Sequence, residues 1–299
     1  MHEPVLLKEV LTYLDPKPGE FMIDGTVDGG GHARVIIKKI IPGGMLLGVD
    51  WDKAMIVERE AERARHEQKQ KVRERYVHGN YAELPDILQE EKLGKADGLL
   101  LDLGFSSAQI EDSKRGFSFS DEHANEPLLM TYDDMRKPVA EILRGLGEEA
   151  LAKIIFELGG ERLSRRIAKA IVAREKAHRI LTSGELAEVV RSVTPKSYEK
   201  GRIDPATRTF QALRIYANDE LVNLKQVLER LSEIVKKNGR VAVITFHSLE
   251  DRIVKQSFQT LASEKKIEIL TKKPVTASEE EIRQNPRSRS AKLRAAILQ

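Results

Sequence analysis

A short apolar run that breaks straight into a glycine cluster constrains this chain more than any other feature. Phe21 to Asp24 reads as a buried strand, and Asp24-Gly25-Thr26-Val27-Asp28-Gly29-Gly30-Gly31-His32 follows it without a gap. His32 to Ile41 then reads as a helix, stopped at Pro42-Gly43-Gly44. Glycine at a strand-to-helix turn lets the backbone bend tightly and approach a ligand with no Cβ in the way. A dinucleotide asks for G-x-G-x-x-G. Gly25 followed by the run Gly29-Gly30-Gly31 does not have that spacing.

The same rhythm continues. Met45 to Asp50 is a second buried strand, and Lys53 to Arg75 a long helix whose second half is almost wholly charged. Tyr76 to His78 reads as a third strand and Gly98 to Asp102 as a fourth. Short apolar runs alternating with helical patterns predict βαβ units and a parallel sheet. From Asp112 to Asp204 no strand pattern occurs. Helices are expected at 148–158, 160–176 and 183–193, the last opened by a capping box of Thr182 and Glu185. Thr209 to Lys236 reads as one long helix, Arg240 to Thr245 as a fifth strand and His247 to Ala262 as a helix. Ile267 to Lys272 and Lys292 to Leu298 suit a closing antiparallel pair. The expected architecture is a doubly wound α/β domain from 1–112 and 205–299, carrying an all-helical insert at 113–204. Insertions at the carboxyl ends of such strands sit where ligands bind, so the insert is assigned to substrate recognition.

Composition removes several classes of chemistry. The chain has no cysteine, which excludes thiol nucleophiles, thiolate metal sites and disulfides and fits a reducing compartment. His2, His32, Asp24 and Asp50 lack zinc-ligand spacing, and no metal is expected. No apolar run reaches the length of about eighteen residues that a membrane helix needs, and no membrane partner is expected. MHEPVLLKEV lacks the basic start and long apolar stretch of a secretory signal, so a cytoplasmic location is expected. A net charge of only +3 means that any basic surface must come from local clustering.

Acidic residues at the strand ends point to the ligand. Asp50 closes strand two, where a carboxylate can hold both hydroxyls of a ribose. Trp51, between Asp50 and Asp52, either packs on an adenine or fills the core. Tyr81 and Asp97 lie in the regions where adenine contacts fall. Carboxylates near a positive sulfonium and an amino group favour S-adenosylmethionine over a dinucleotide. Asp102 closes strand four. Its carboxylate either accepts the N–H of an exocyclic base amine and steadies charge during transfer, or caps the next helix. His247 closes strand five, as a hydrogen-bond partner or proton acceptor, or as a cap beside Ser248, Glu250 and Asp251.

Further stretches recur in order along nearly the whole chain. They are Glu3-Pro4-Val5-Leu6-Leu7, the DGTVDGGGH loop, GVDWD at 48–52 and DLGFSSAQIED at 102–112. RGFSF at 115–119, PATRTFQALRI at 205–215, TFHSLEDRIVK at 245–255 and NPRSRSAKLR at 285–294 complete the series. In these the chain resembles the bacterial 16S ribosomal RNA cytosine-N4 methyltransferases of the MraW type. The resemblance implies a class I S-adenosylmethionine-dependent methyltransferase fold, a Rossmann-like sheet with an inserted helical domain. It implies N4-methylation of a specific cytidine in the decoding centre of 16S ribosomal RNA, within the small ribosomal subunit, by a monomer or homodimer. Its cofactor contacts carry over to Gly30, Gly31, His32, Asp50, Tyr81, Asp102 and Gln109. Asp102 and His247 are the catalytic candidates, and Arg115, Phe117, Arg208, Arg214, Arg287 and Arg289 the substrate-side ones.

Some positions depart from the family pattern. Tyr81 stands where phenylalanine is commoner. Pro127-Leu128-Leu129-Met130-Thr131-Tyr132-Asp133 replaces P-L-D-M-R-M-D, Asp204 replaces a histidine, and Asp28 replaces a small or basic residue. Basic residues crowd the insert, among them Arg162, Arg165, Arg166, Lys169, Arg174, Lys176 and Arg179, and would hold phosphate with little sequence reading. The target base must leave its stack, with Phe105 or Phe117 available as a platform. Two other readings stand beside this one. The first is an amino methyltransferase of another RNA or DNA base, although DLGFSS lacks the paired prolines common in such enzymes. The second is a non-catalytic ribosome-assembly factor.

Overall fold

Strands that are apolar on both faces must be covered on both faces, and that requirement organises the first half of the chain. The computed structural model describes residues 4–66, 72–103, 114–195, 197–198 and 203–299. Its strands are β1 (Phe21–Asp24), β2 (Met45–Asp50), β3 (Arg73–His78), β4 (Ala96–Asp102), β5 (Val235–Thr245), β6 (Ile267–Ile269), β7 (Val275–Thr276) and β8 (Lys292–Leu298). They form one sheet in the order β3-β2-β1-β4-β5-β8-β6, with β7 paired to β8. β3, β2, β1, β4 and β5 run parallel, and β8 runs antiparallel to both β5 and β6. Alternate residues sort into two cores, as a side-chain period of two demands. Leu47, Leu99, Leu101, Val241 and Val243 enter one core, while Leu46, Leu100, Ala242 and Ile244 enter the other.

Helices cover both faces. α1 (Leu7–Leu14), α2 (Gly31–Ile40) and α3 (Lys53–His66) add Val10, Leu14, Ile36, Ile40 and Ile56 to the second core. α4 (Leu84–Glu90) adds Ile87 and Leu88 to the first. Next in the chain come α5 (Val139–Gly145), α6 (Glu148–Gly159), α7 (Ser164–Ala177), α8 (Ser183–Ser192) and α9 (Ala206–Asn218). α10 (Glu220–Glu229), α11 (Leu231–Ile234), α12 (Ser248–Ser263) and α13 (Glu279–Gln284) follow. Leu224, Val227 and Leu228 of α10 and Val254 and Phe258 of α12 complete the first core. No helix among the described residues is long and apolar enough to cross a membrane.

The chain divides into two compact units, Met1–Gly104 with Leu221–Gln299, and Phe105–Glu220. The second unit is therefore longer at its carboxyl end than the expected insert of 113–204. The cause is α9, whose Ala206, Phe210, Leu213 and Ala217 pack among Ile155, Ile167, Ile171 and Leu186 of the helical core. The expected single helix from Thr209 to Lys236 is broken for the same reason. Asp219 takes a left-handed conformation (φ 52°) at the end of α9, and the chain leaves one core for the other.

The third strand and the helix before it also differ from expectation. α3 ends at His66, and Arg73, Glu74 and Arg75 pair with Met45, Leu46 and Leu47 as strand rather than helix. β3 is the outer strand of the sheet, and an edge accepts charged side chains that a central strand would not. In the helical unit, α7 and α8 lie close to their expected spans, and the capping box of Thr182 and Glu185 forms. α5 and α1 were not foreseen.

Candidate active site

Four central strands deliver carboxylates or a histidine to their carboxyl ends. Asp24 closes β1 and is 1% exposed, its Oδ1 accepting a 3.3 Å hydrogen bond from the Thr26 N–H. Burial pushes its carboxyl up to about 7, against the opposing pull of His32 and of that hydrogen bond. Asp50 closes β2. It accepts the N–H of Asp28 on Oδ2 (2.8 Å) and the N–H of Asp52 on Oδ1 (2.9 Å). Burial again dominates and raises its carboxyl to about 7.

The glycine loop between β1 and α2 joins these groups. Gly30 has φ 73°, and a Cβ there would stand 2.6 Å from Nη1 of Arg59. Arg59 is itself 2% exposed and paired with Glu58 and Glu62. At Gly31, a Cβ would press on Pro4 at 3.1 Å. At both positions a side chain would run into the protein's own atoms, so glycine is the residue that fits there. Asp28 sits in the same loop at φ 43°, a conformation that short polar side chains tolerate better than most.

Asp102, at the end of β4, lies beside the loop. Its N–H donates to Oγ1 of Thr26 at 2.7 Å, and its Oδ2 is 3.4 Å from Nε2 of His32. His32 is in the first turn of α2 and is 6% exposed, and neither ring nitrogen makes a hydrogen bond among the described residues. A buried imidazole left that way costs free energy unless a ligand supplies its partner. Thr26 was not singled out in the sequence, although a hydroxyl residue inside a glycine loop is the signal that marks it. Asp24 was noted as part of the loop rather than as a site group.

His247 caps α12. Its Nδ1 accepts the Glu250 N–H at 3.4 Å, while the Glu250 carboxylate accepts the His247 N–H at 3.2 Å. Nε2 lies 3.1 Å from Oε1 of Glu250. The cap reading is what the structure displays, and it sets Nε2 as the nitrogen that carries the proton in the neutral ring.

Tyr81 follows β3 and is buried, with Trp51 stacked on it at 5.6 Å and an interplanar angle of 6°. Trp51 also packs against the first core, which is the core-filling alternative, and it braces the ring of Tyr81. Asp97 does not belong to this site. It lies near the start of β4, where Oδ2 accepts the Phe21 N–H at 2.9 Å and Lys236 pairs with it. Those contacts tie together the amino ends of β1, β4 and β5, opposite the ends that carry Asp24, Asp50 and Asp102. Gln109 and Phe105 lie outside the described residues.

The substrate-side candidates divide between the units. Arg287 and Arg289 occupy the single helical turn before β8. Arg115, Phe117, Arg208 and Arg214 belong to the helical unit. Arg115 donates to Thr131 O and Oγ1, Asp133 O and Asp134 Oδ1, which makes it the brace of the 131–134 loop. Arg214 is bidentate to Glu220 at 2.8 and 3.0 Å. Phe117 lies 5.6 Å from Tyr132, with the rings tilted at 31°.

The MraW methylase family model matches residues 1–298. The chain belongs to that family. Relatives named ribosomal RNA small subunit methyltransferase H agree in extent. That of Syntrophotalea carbinolica is 43% identical over 310 residues, covering 98% of this chain and 96% of its own. That of Persephonella marina is 42% identical over 296 residues, covering 99% and 98%. That of Deinococcus deserti is 44% identical over 297 residues, covering 99% and 93%. The chain is accordingly a methyltransferase with a class I, Rossmann-like sheet, and S-adenosylmethionine is its cofactor. The site fits that molecule. Two buried carboxylates and a buried imidazole without a hydrogen bond suit a ligand with hydroxyl donors and two positive centres.

Proposed function

We propose that this protein transfers a methyl group from S-adenosylmethionine to the exocyclic N4 of one cytidine in the decoding centre of 16S ribosomal RNA. The observation that carries the reading is the position of Asp102, at the carboxyl end of β4 with Thr26 on its backbone and His32 against its carboxylate. The names of the relatives, which act on small-subunit ribosomal RNA, support the substrate class. N4 of a specific cytidine rests on the sequence resemblance and on the chemistry available to Asp102.

When bound, S-adenosylmethionine supplies an electrophilic methyl group on a sulfonium. Asp50 would hold the ribose hydroxyls through its two carboxylate oxygens, and the loop at Gly30 and Gly31 would take the amino acid portion through backbone groups. Asp24 would offer negative charge to a cationic centre of the ligand. The amine of cytosine is a poor nucleophile because its lone pair is delocalised into the ring. Asp102 accepts one N–H of that amine, which aligns the lone pair for in-line attack and steadies positive charge as the N–C bond forms. His32 stands beside the Asp102 carboxylate, its Nε2 3.4 Å away, with both ring nitrogens left for a ligand. After transfer the excess proton leaves the nitrogen towards Asp102 and then water.

The test is incubation with radiolabelled S-adenosylmethionine and small ribosomal subunits lacking the modification, followed by mass identification of the labelled nucleoside. N4-methylcytidine at one position is the expected product. Label in another nucleoside overturns the base assignment. Asp102→Ala should remain folded, since its backbone contact to Thr26 persists, and lose transfer by roughly a thousandfold or more. Retained activity in that variant removes Asp102 from the chemistry.

A further inference from the structure

The helical unit holds a row of cations that the fold leaves unpaired. Along α7, Ser164, Ile167, Ala168 and Ile171 are buried, while Arg165, Arg166, Lys169 and Lys176 are exposed. Those four positions follow helical spacing, so they share the outer face of α7. None of the four takes part in an ion pair among the described residues, whereas Arg174 on the same helix pairs with Glu185. Other cations of the same unit do have partners: Arg115 pairs with Asp134, Arg136 with Asp219, Arg191 with Asp204 and Arg214 with Glu220.

A concavity of about 390 Å³ lies in this unit, lined by Lys137, Glu141, Arg144, Gly145 and Arg179. Lys137 precedes α5, Arg144 sits in its last turn, and Arg179 follows α7. α5 and α7 pack on each other, which brings the three cations to one place. The Lys137 ammonium reaches over Gly145, 3.8 Å from where a Cβ would stand. Lys137, Arg144 and Arg179 have no ion-pair partner among the described residues, and Glu141 is the single acid on the lining. Three like charges held around one hollow repel one another, and a bound anion reverses that cost.

We propose that this hollow is a phosphate-binding pocket that grips the RNA backbone, at the end of a cationic track along α7. The pocket takes a phosphodiester rather than a base, because its lining offers donors and positive charge but no aromatic ring. Binding there positions the strand without reading sequence. The proposal rests on an RNA substrate as argued above, and it adds where the strand is held.

The experiment compares binding of deproteinised 16S ribosomal RNA over a salt series, with methylation of small subunits measured in parallel. The variants are Lys137→Gln/Arg144→Gln/Arg179→Gln, Glu141→Gln, and a control, Lys17→Gln/Lys266→Gln/Arg283→Gln. The control removes the same charge from exposed cations in the other unit. For a single strand each lost phosphate contact lowers the slope of log K against log salt by about 0.7, so a variant that no longer holds the one phosphodiester in the hollow should lose about 0.7. At ~0.15 M salt that is a weakening of roughly 4-fold, with the rate at saturating substrate unchanged. Glu141→Gln should bind more tightly than the parent. An unchanged slope in the pocket variant, while the parent binds and methylates, overturns the pocket and leaves the proposed function standing. An equal fall in the control overturns it as a net-charge effect. A parent that neither binds ribosomal RNA nor methylates small subunits overturns both.

Discussion

Replacing Asp50 with asparagine should make the free protein more stable at neutral pH and worse at holding its cofactor. The unfolded chain ionises Asp50 near 3.8, whereas burial in the fold raises that carboxyl to about 7. Between those values the unfolded state binds fewer protons than the folded state, so stability falls as pH rises, then levels off above about 7. Each pKa unit is worth about 1.36 kcal/mol, so the whole rise corresponds to roughly 4 kcal/mol, of which about 3 fall between pH 5 and pH 8. Asparagine does not ionise and escapes that loss. It does have only one acceptor oxygen, so one of the two N–H groups from Asp28 and Asp52 loses its partner at a cost of about 1–3 kcal/mol. That cost is similar at both pH values and cancels in the comparison.

The assay is urea unfolding of parent and Asp50→Asn, without cofactor, at pH 5 and pH 8. The variant should gain about 3 kcal/mol relative to the parent between the two. Calorimetric titration with S-adenosylmethionine at pH 8 should show affinity lower by roughly 10- to 100-fold, the worth of a charge-assisted contact of about 1.5–3 kcal/mol. A stability difference that does not change with pH would refute the burial argument. Unchanged affinity would remove Asp50 from the cofactor site.

Gly30→Ala should cost about 1–2 kcal/mol from its left-handed φ of 73°, more if buried Arg59 must shift, and thermal unfolding will read it as a fall of several degrees. An unchanged midpoint would show that the loop relaxes freely. His247→Ala should lose about 0.5–2 kcal/mol of cap stabilisation, whereas His247→Asn should keep it. If His247→Asn is stable and fully active, the residue is a cap alone; if it is stable and slow, the imidazole takes part in the reaction.

The sheet was legible because its central strands are apolar at nearly every position, a pattern that only burial on both faces explains. β3 was read too short, since an edge strand can carry Arg73, Glu74 and Arg75, and those residues also suit the end of a charged helix. The span from Thr209 to Lys236 keeps helical spacing throughout, and spacing does not reveal that Phe210 and Leu213 serve one core while Leu224 and Val227 serve another. Asp97 was grouped with the site because a strand's residues are easier to read than its starting point. One end of β4 carries Asp97 and the other Asp102, and only the second meets the glycine loop. Arg115 and Arg214 show a further limit. Charge is visible in a sequence, but the carboxylates and carbonyls that satisfy it belong to distant positions.

The positions that depart from the family pattern bear on where this chain has diverged. Thr131 accepts Arg115 on both its carbonyl and its hydroxyl, so an arginine in its place would set a second cation against the first. Tyr132 next to it donates its hydroxyl to Glu220, the carboxylate that also pairs with Arg214. Asp204 accepts the Ala206 N–H at the start of α9 and pairs with Arg191 of α8, a helix-capping role for a carboxylate at that point. These substitutions are therefore built into contacts that brace the helical unit. Tyr81 and Asp28 lie outside that unit: Tyr81 is stacked on Trp51, and Asp28 enters the glycine loop through its backbone, by donating to Asp50. A side chain can vary there while the N–H stays in place. The departures at Thr131, Tyr132 and Asp204 are thus each matched by a partner within the helical unit.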